Sequence, residues 1–494
     1  MSHVTIVGGG IGGLAAAVYL RKFGLQVLLI ERHDSLGGKV AQLELHGFMF
    51  DLGPTVLTMP FVLRQLFSDC GRRMEEYLQI RPVDPICHYR WSDGTRFDTF
   101  TAPAALKQEL LRVFPEDTDA VLSFLHDIDR LYDITKEIFL FNPFQGLREF
   151  FRPRNARLLP SLPTLGITST VHQSLSRRFT SQKLIQFFGR FATYNGSTPY
   201  RAPATLNVIP HVELGFGAWY PVGGMSAVAR ALERLAREIG VEILTGTTVE
   251  RMEREGDRIT SVVANGERHA TDAVISNVDV LWTYRNLLNP MGIATPRNVR
   301  TAERSCSGFL MLAAVRGTHP NLAHHNIFFS DDYPEEFRDI FERKLLPREM
   351  TIYLSIASKS DPSLAPEGCE NWYILMNAPS SGVEHNDSAA AAAYADSVWK
   401  RLATFGLNPT VEWQSRLTPI DIEERYNSAD GAIYGASSNS IFSAFRRPRN
   451  KVSGLSNFYF AGGSTHPGGG VPLVILSGKI TAGLVHRDLA GGSL

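Results

Sequence analysis

Val4-Thr-Ile-Val-Gly-Gly-Gly-Ile-Gly-Gly-Leu-Ala15 runs from a short apolar stretch through a cluster of glycines into an alanine-rich segment. Val4 to Val7 reads as a strand buried on both faces, as in a parallel sheet. Gly8, Gly10 and Gly13 stand at the G-x-G-x-x-G spacing. The first makes a tight turn, the second lets backbone approach a pyrophosphate, and the third allows close helix–strand packing. Leu14 to Phe23 predicts a helix whose N-terminal amides face the phosphates, with Gly24 placed to end it. A second strand, Gln26 to Ile30, ends at Glu31, whose carboxylate can accept from ribose hydroxyls. Glycine-rich turns also occur for purely structural reasons, but strand, turn, helix and acid in register point to a dinucleotide.

The fingerprint alone does not separate NAD from FAD. The deciding stretches are Leu36-Gly-Gly-Lys-Val40 and Gly47-Phe-Met-Phe-Asp-Leu-Gly-Pro54, which follow directly. They also read as a surface hairpin with glycine turns, and Lys39 as a solvated charge. As an extended second cofactor contact they resemble the amine-oxidase-like flavoprotein superfamily. That resemblance implies FAD, with Gly37 and Gly38 at the pyrophosphate, Lys39 offsetting its charge, and Gly53, Pro54 and Thr55 near the flavin ring.

The chain has 494 residues, 50 acidic and 50 basic, and is 44% hydrophobic, enough for two domains or one large interrupted one. Balanced charge without a long basic run argues against a nucleic-acid partner. Cys70, Cys87, Cys306 and Cys369 stand far apart, with no companion histidine at metal spacing. They read as buried thiols of a reduced compartment, and no metal site is expected. The dinucleotide strand begins too early for a signal peptide, and no apolar run approaches the ~20 residues of a membrane span. The expectation is a cytoplasmic-facing protein, soluble or attached to a membrane surface.

The nucleotide-binding region is interrupted. Its second part begins at Trp219-Tyr-Pro-Val-Gly-Gly-Met-Ser226, with a helix from Ser226 to Ile239. Strands are expected at Val241–Leu244, Thr247–Met252, Arg258–Val263 and Ala273–Ser276. The third part starts at Asn457, where Phe458-Tyr-Phe-Ala-Gly-Gly-Ser-Thr-His-Pro-Gly-Gly-Gly-Val-Pro472 carries a strand into five glycines and then a helix. Two insertions separate the parts. The first, 58–212, reads as largely helical. The second, 281–430, carries strand-like runs at Ser307–Val315, Glu349–Ile356 and Trp372–Met376, and a helix from Ser388 to Leu402. Within the first, Ile138 to Pro160 mixes bulky apolar residues with Arg148, Arg152, Arg154 and Arg157. It fits either core helices with solvated arginines or an element lying in a membrane interface.

Over its whole length the chain resembles the bacterial-type carotenoid desaturases, the phytoene dehydrogenase family. The resemblance rests on Asp361-Pro-Ser-Leu-Ala-Pro-Glu-Gly-Cys369, on Phe445-Arg-Arg-Pro-Arg-Asn450 and above all on Ala461 to Pro472. Monoamine oxidases usually carry Gly-Glu where this chain has Gly462-Gly463. The implied fold is α/β: an interrupted Rossmann-like FAD-binding domain of the GR2 type (1–57, 213–280 and 431–494) with an inserted α+β substrate domain (58–212 and 281–430). Val249 matches the strand position that contacts the adenine. Gly462 and Gly463 would approach the pyrophosphate, and Gly470, Val471 and Pro472 would lie at the flavin ring.

The implied activity is FAD-dependent desaturation of a long acyclic carotenoid drawn from a membrane surface, with dioxygen or a quinone as electron acceptor. Phytoene-like, diapophytoene-like and hydroxy- or methoxy-carotenoid-like substrates stay open. Alternatives are a terminal-methyl oxidase of the same family and a non-catalytic prenyl-lipid carrier. FAD supplies the oxidation by accepting a hydride, while the protein aligns the substrate and excludes water. The proton that follows leaves a delocalised cation, so a dedicated base is not required and the catalytic residues stay unassigned. His466 reads equally as a turn-fixing residue and as a catalytic one. Glu213, Arg446 and Arg447 are weaker candidates.

Overall fold

The computed structural model describes residues 2–143, 168–380, 388–440 and 447–491. Residues 144–160 of the arginine-rich stretch, and Arg446, lie outside them. Strand β1 (His3–Val7) leads through the glycine turn into α1 (Ile11–Lys22), and β2 (Gln26–Ile30) follows. Much later come α2 (Ser226–Glu238), β3 (Glu242–Leu244) and β4 (Ala273–Ser276), and near the end β5 (Phe458–Phe460) and α3 (Val471–Leu489). The five strands form one wholly parallel sheet in the order β5-β4-β1-β2-β3. Its centre, β1 and β4, is buried on both faces from Val4 to Val7 and from Ala273 to Ser276, as the unalternating apolar sequence requires.

Helix α1 starts earlier than its sequence suggests, because Gly12 and Gly13 are already helical. Glycine is a poor helix former, but burial overrides propensity here. Every residue from Ile11 to Leu20 is buried, so the helix is covered all round, as a helix apolar on every face must be. One close contact is with α3. A Cβ at Gly478 would stand 2.7 Å from both the Gly12 carbonyl and the Ala16 amide.

A second, seven-stranded sheet runs in the order Thr410–Leu417, Ser307–Arg316, Cys369–Ala378, Ile352–Ile356, His325–Phe328, Cys87–Arg90, Arg96–Thr99. The described part of 58–212 is largely helical, as expected, but the last two strands of this sheet also come from it. They form a hairpin that extends the other insertion's sheet, His325–Phe328 pairing in parallel with Cys87–Arg90. A further hairpin, Gln42–Leu45 with Phe48–Asp51, follows the Leu36–Val40 stretch. Helix Ser388–Thr404 covers one side of the large sheet through Ala391, Ala395, Val398 and Leu402. Cys87 and Cys306 are buried, but Cys70 and Cys369 are only half-buried, and all four are free thiols. No described helix is long and apolar enough to cross a membrane.

The α1–α3 contact has no room for a side chain at residue 478. Gly478→Ala is expected to cost about 1–3 kcal/mol through overpacking, measured by urea unfolding, and Gly478→Val more.

Candidate cofactor and active site

A cavity of about 700 Å³ runs between the two sheets, within the range of small-molecule and cofactor sites. The residues singled out in the sequence converge on it from widely separated stretches. Gly8, Gly10, Glu31, Gly37, Gly38 and Lys39 line it from the N-terminal unit, and Gly53, Pro54 and Thr55 from the turn after the hairpin. Val249 lines it from the start of its strand, and Gly462, Gly463, Gly470, Val471 and Pro472 from the C-terminal loop. Gly13 is the exception. It packs against the turn, where a Cβ would meet the Gly8 carbonyl at 2.3 Å.

Two helix N-termini open on this cavity. Neither α1 nor α3 has a side-chain cap or an acidic residue in its first turn. Their first amides are therefore unsatisfied by the chain's own side chains and carry the positive end of the helix dipole, which suits a diphosphate-bearing ligand. Glu31 stands at the end of β2 and is 6% exposed. It accepts from the Gly9 amide at 2.7 Å and the His33 amide at 2.9 Å, which fixes the carboxylate beside the glycine turn. The Lys39 ammonium donates to the Ile433 carbonyl at 2.7 Å. Burial lowers its pKa to about 8 against the pull of Asp279. Lys39 is thus part of the cavity wall and not a solvated charge.

Asn277, just past β4, was not foreseen. Its amide N–H donates to the Val7 carbonyl at 2.8 Å, and its side-chain Nδ2 donates to the Ala461 carbonyl at 2.9 Å. A Cβ at Gly10 would lie 2.6 Å from Asn277 Oδ1, and one at Gly12 2.7 Å from Nδ2. At Gly462, where φ is +118°, it would lie 2.6 Å from Nδ2. One carboxamide therefore fills the space that three glycines vacate, and it ties the first cofactor turn to the last. An asparagine one residue beyond a parallel strand is the sole sequence signal for it.

Beyond the glycine cradle the wall is apolar, with Leu131, Leu206, Ile209, Val212, Leu310 and Leu375. Polar groups on this side are paired or neutral. Arg190 and Glu213, 8% and 4% exposed, form an ion pair at 3.3 Å. Glu213 also accepts from the Tyr194 hydroxyl, and Arg190 Nη2 donates to Tyr89 at 2.7 Å. Glu213 is therefore committed to a buried network and does not line the cavity. Thr55 Oγ1 and the Tyr353 hydroxyl lie 2.6 Å apart, and Tyr353 is 2.8 Å from His325 Nδ1. Burial holds His325 well below the usual histidine range. His466 lines the cavity with Nε2 2.9 Å from the Asn142 carbonyl, and burial lowers its pKa to about 4. A neutral imidazole held by a backbone carbonyl matches the turn-fixing reading. Among the described residues no group of three or more His, Cys, Asp or Glu is placed to hold a metal ion.

The sequence profile of the flavin-containing amine oxidoreductases matches residues 11–486. The chain belongs to that family. It is 38% identical to a 1-hydroxycarotenoid 3,4-desaturase of Flavobacterium sp. (strain P99-3), covering 99% of this chain and 100% of the relative. It is 34% identical to a 4,4'-diapolycopene oxygenase of Methylomonas sp., covering 99% and 98%. Among solved structures an oxidoreductase from Methanosarcina mazei superposes with a TM-score of 0.64 at 17% identity, covering 96% and 98%, a likeness of fold alone. The protein is an FAD-dependent oxidoreductase within the carotenoid desaturase and oxygenase group. The uncapped helix ends, the glycine cradle and Glu31 fit that cofactor.

Loss of the Asn277 carboxamide leaves the Ala461 carbonyl unpaired and the two turns untied. Asn277→Ala is expected to weaken FAD binding by about 1–3 kcal/mol, roughly 5- to 150-fold, read from the flavin-to-protein absorbance ratio after dialysis. For His466 the folded pKa lies below the unfolded one. Its contribution to stability is complete above about pH 6.5 and is lost as pH falls toward 4. His466→Gln should remove up to about 3 kcal/mol of the stability lost by pH 4, measured by urea unfolding of both proteins across that window.

Proposed function

We propose that this protein desaturates a long acyclic carotenoid, using FAD held by 1–57, 213–280 and 431–494 and a substrate chamber formed by 58–212 and 281–430. The observation that carries this reading is the single cavity, glycine-lined and helix-capped at one end and apolar at the other. Such a space seats a hydrocarbon chain against a flavin without burying unpaired substrate polarity. Glu31 would hold the adenosine ribose and Val249 the adenine. Gly8, Gly10, Gly37, Gly38, Lys39, Gly462 and Gly463 would surround the pyrophosphate. Gly53, Pro54, Thr55, Gly470, Val471 and Pro472 would lie along the ring.

When bound, FAD supplies a two-electron oxidation by accepting a hydride. The chain's own contribution is alignment and exclusion of water. The apolar wall fixes which carbons lie at the cradle, and neither the neutral His466 nor the paired Glu213 presents a charged base to the polyene. The proton departs from a delocalised cation, and the electron acceptor would be a quinone or dioxygen. A substrate this insoluble is taken from a lipid surface, so the protein works as a peripheral membrane protein on the cytoplasmic side.

The test is purified holoprotein mixed with liposomes loaded with phytoene, diapophytoene or a 1-hydroxylated acyclic carotenoid, with a quinone added. Chromatography should show a product with a longer conjugated system from at least one of them, and the protein should float with the vesicles. An aldehyde at the chain end would make it a terminal-methyl oxidase, and unchanged carotenoids throughout would overturn the reading.

A further inference from the structure

Arg447 is a buried charge on the cavity wall that the cofactor assignment leaves without a role. It lies in the loop before β5 and lines the cavity beside Gly463 and Gly468. Its guanidinium donates to the Gly463 carbonyl at 2.6 Å, to the Tyr434 carbonyl at 3.3 Å and to Asn195 Oδ1 at 2.8 Å. All three acceptors are neutral. Among the described residues no carboxylate forms an ion pair with it, and burial alone lowers its pKa, to about 10. Arg190, another arginine lining the cavity, has Glu213 as a counter-ion. Burying a cation without an opposite charge is costly, and three carbonyl-type acceptors orient the guanidinium without neutralising it.

The position of the charge is specific. A Cβ at Gly468 would lie 3.5 Å from the Arg447 guanidinium carbon, which places the cation against the loop that delivers the uncapped N-terminus of α3. Lys39 bonds the carbonyl just before that of Tyr434, the Ile433 carbonyl, and is attracted by Asp279.

We propose that Arg447 is the electrostatic partner of the flavin ring, adding its charge to the α3 N-terminus so that the negative charge gained on reduction is stabilised. This rests on the FAD assignment and not on the identity of the carotenoid. In a desaturation one C–H bond breaks with its electron pair passing to FAD as hydride. The neighbouring C–H pair becomes the new π bond, and its proton leaves to solvent. FAD thereby gains one net negative charge, and the quinone or dioxygen later removes the two electrons. A fixed cation at the ring end, in a water-poor cavity, favours that charged state.

The experiment is the midpoint potential of the bound flavin, measured by dye equilibration in the holoprotein. In Arg447→Met, at a fixed solution potential, the reduced-to-oxidised ratio should fall at least tenfold, while Arg447→Lys should restore most of it. Asn195→Asp keeps the shape of its partner but sets an anion against the guanidinium, and it should shift the ratio in the same direction, which keeps the test open if the methionine variant does not fold. FAD retained with an unchanged ratio in both charge-removing variants would overturn the proposal. So would a large loss of FAD affinity with an unchanged potential, which would make Arg447 a pyrophosphate ligand. Failure of the wild-type protein to bind FAD at all would overturn the cofactor assignment itself.

Discussion

The cofactor site depends on bringing the first and last glycine turns within contact, and one carboxamide makes that contact. Asn277 donates to the Ala461 carbonyl, and its own amide donates to the Val7 carbonyl. The side chain thus sits between the end of β1 and the end of β5, while its backbone continues β4. Three neighbouring strands are fixed relative to one another at the edge where a parallel sheet exposes its ligand site. The close approach of α1 to α3, set by Gly12 and Gly478, aims both helix N-termini at the same space. Shape and field then follow from the same geometry, since glycines make the room and unsatisfied amides make it positive.

Much of that arrangement is legible in the sequence because it is local. The fingerprint, Glu31 at the end of the next strand, and the C-terminal strand–glycine–helix run are read from spacing alone, and β4 falls on the residues its apolar run predicts. The helix starting at Ser226 and the strand starting at Ser307 likewise begin where composition changes. What could not be read is what depends on distant partners. Cys87–Arg90 and Arg96–Thr99 are short, polar-mixed segments that become strands because His325–Phe328 offers them an edge. Asn277 carries no spacing signal at all. Its importance is visible only when Gly10, Gly12 and Gly462 are seen around it.

Glu213 illustrates the opposite difficulty. A glutamate near a flavoprotein motif reads as a possible base, yet the fold surrounds it with Arg190, Tyr89 and Tyr194. Removing one partner of a buried pair commonly costs 3–5 kcal/mol, so loss of activity on mutation would report stability before chemistry. Sequence gives the residue type, whereas burial and pairing decide its role.

The same accounting explains how one cavity can serve a charged cofactor and a hydrocarbon. Among the described residues on the substrate side Glu213 is paired, and His325 and His466 are held neutral by burial. An apolar chain can enter there without stripping water from a charge. On the cofactor side the balance is reversed, with Lys39, Arg447 and two helix ends contributing positive charge and Glu31 confined to the sugar end. With few polarisable groups between them, the field of those cations is weakly screened across the chamber. It also acts on the substrate, since a carotenoid losing a hydride becomes a cation in the same cavity. A fixed positive charge therefore helps only while it lies closer to the electron-accepting ring than to the polyene. The three neutral acceptors around Arg447 hold its guanidinium against the C-terminal glycine loop, the side on which the proposal sets the ring.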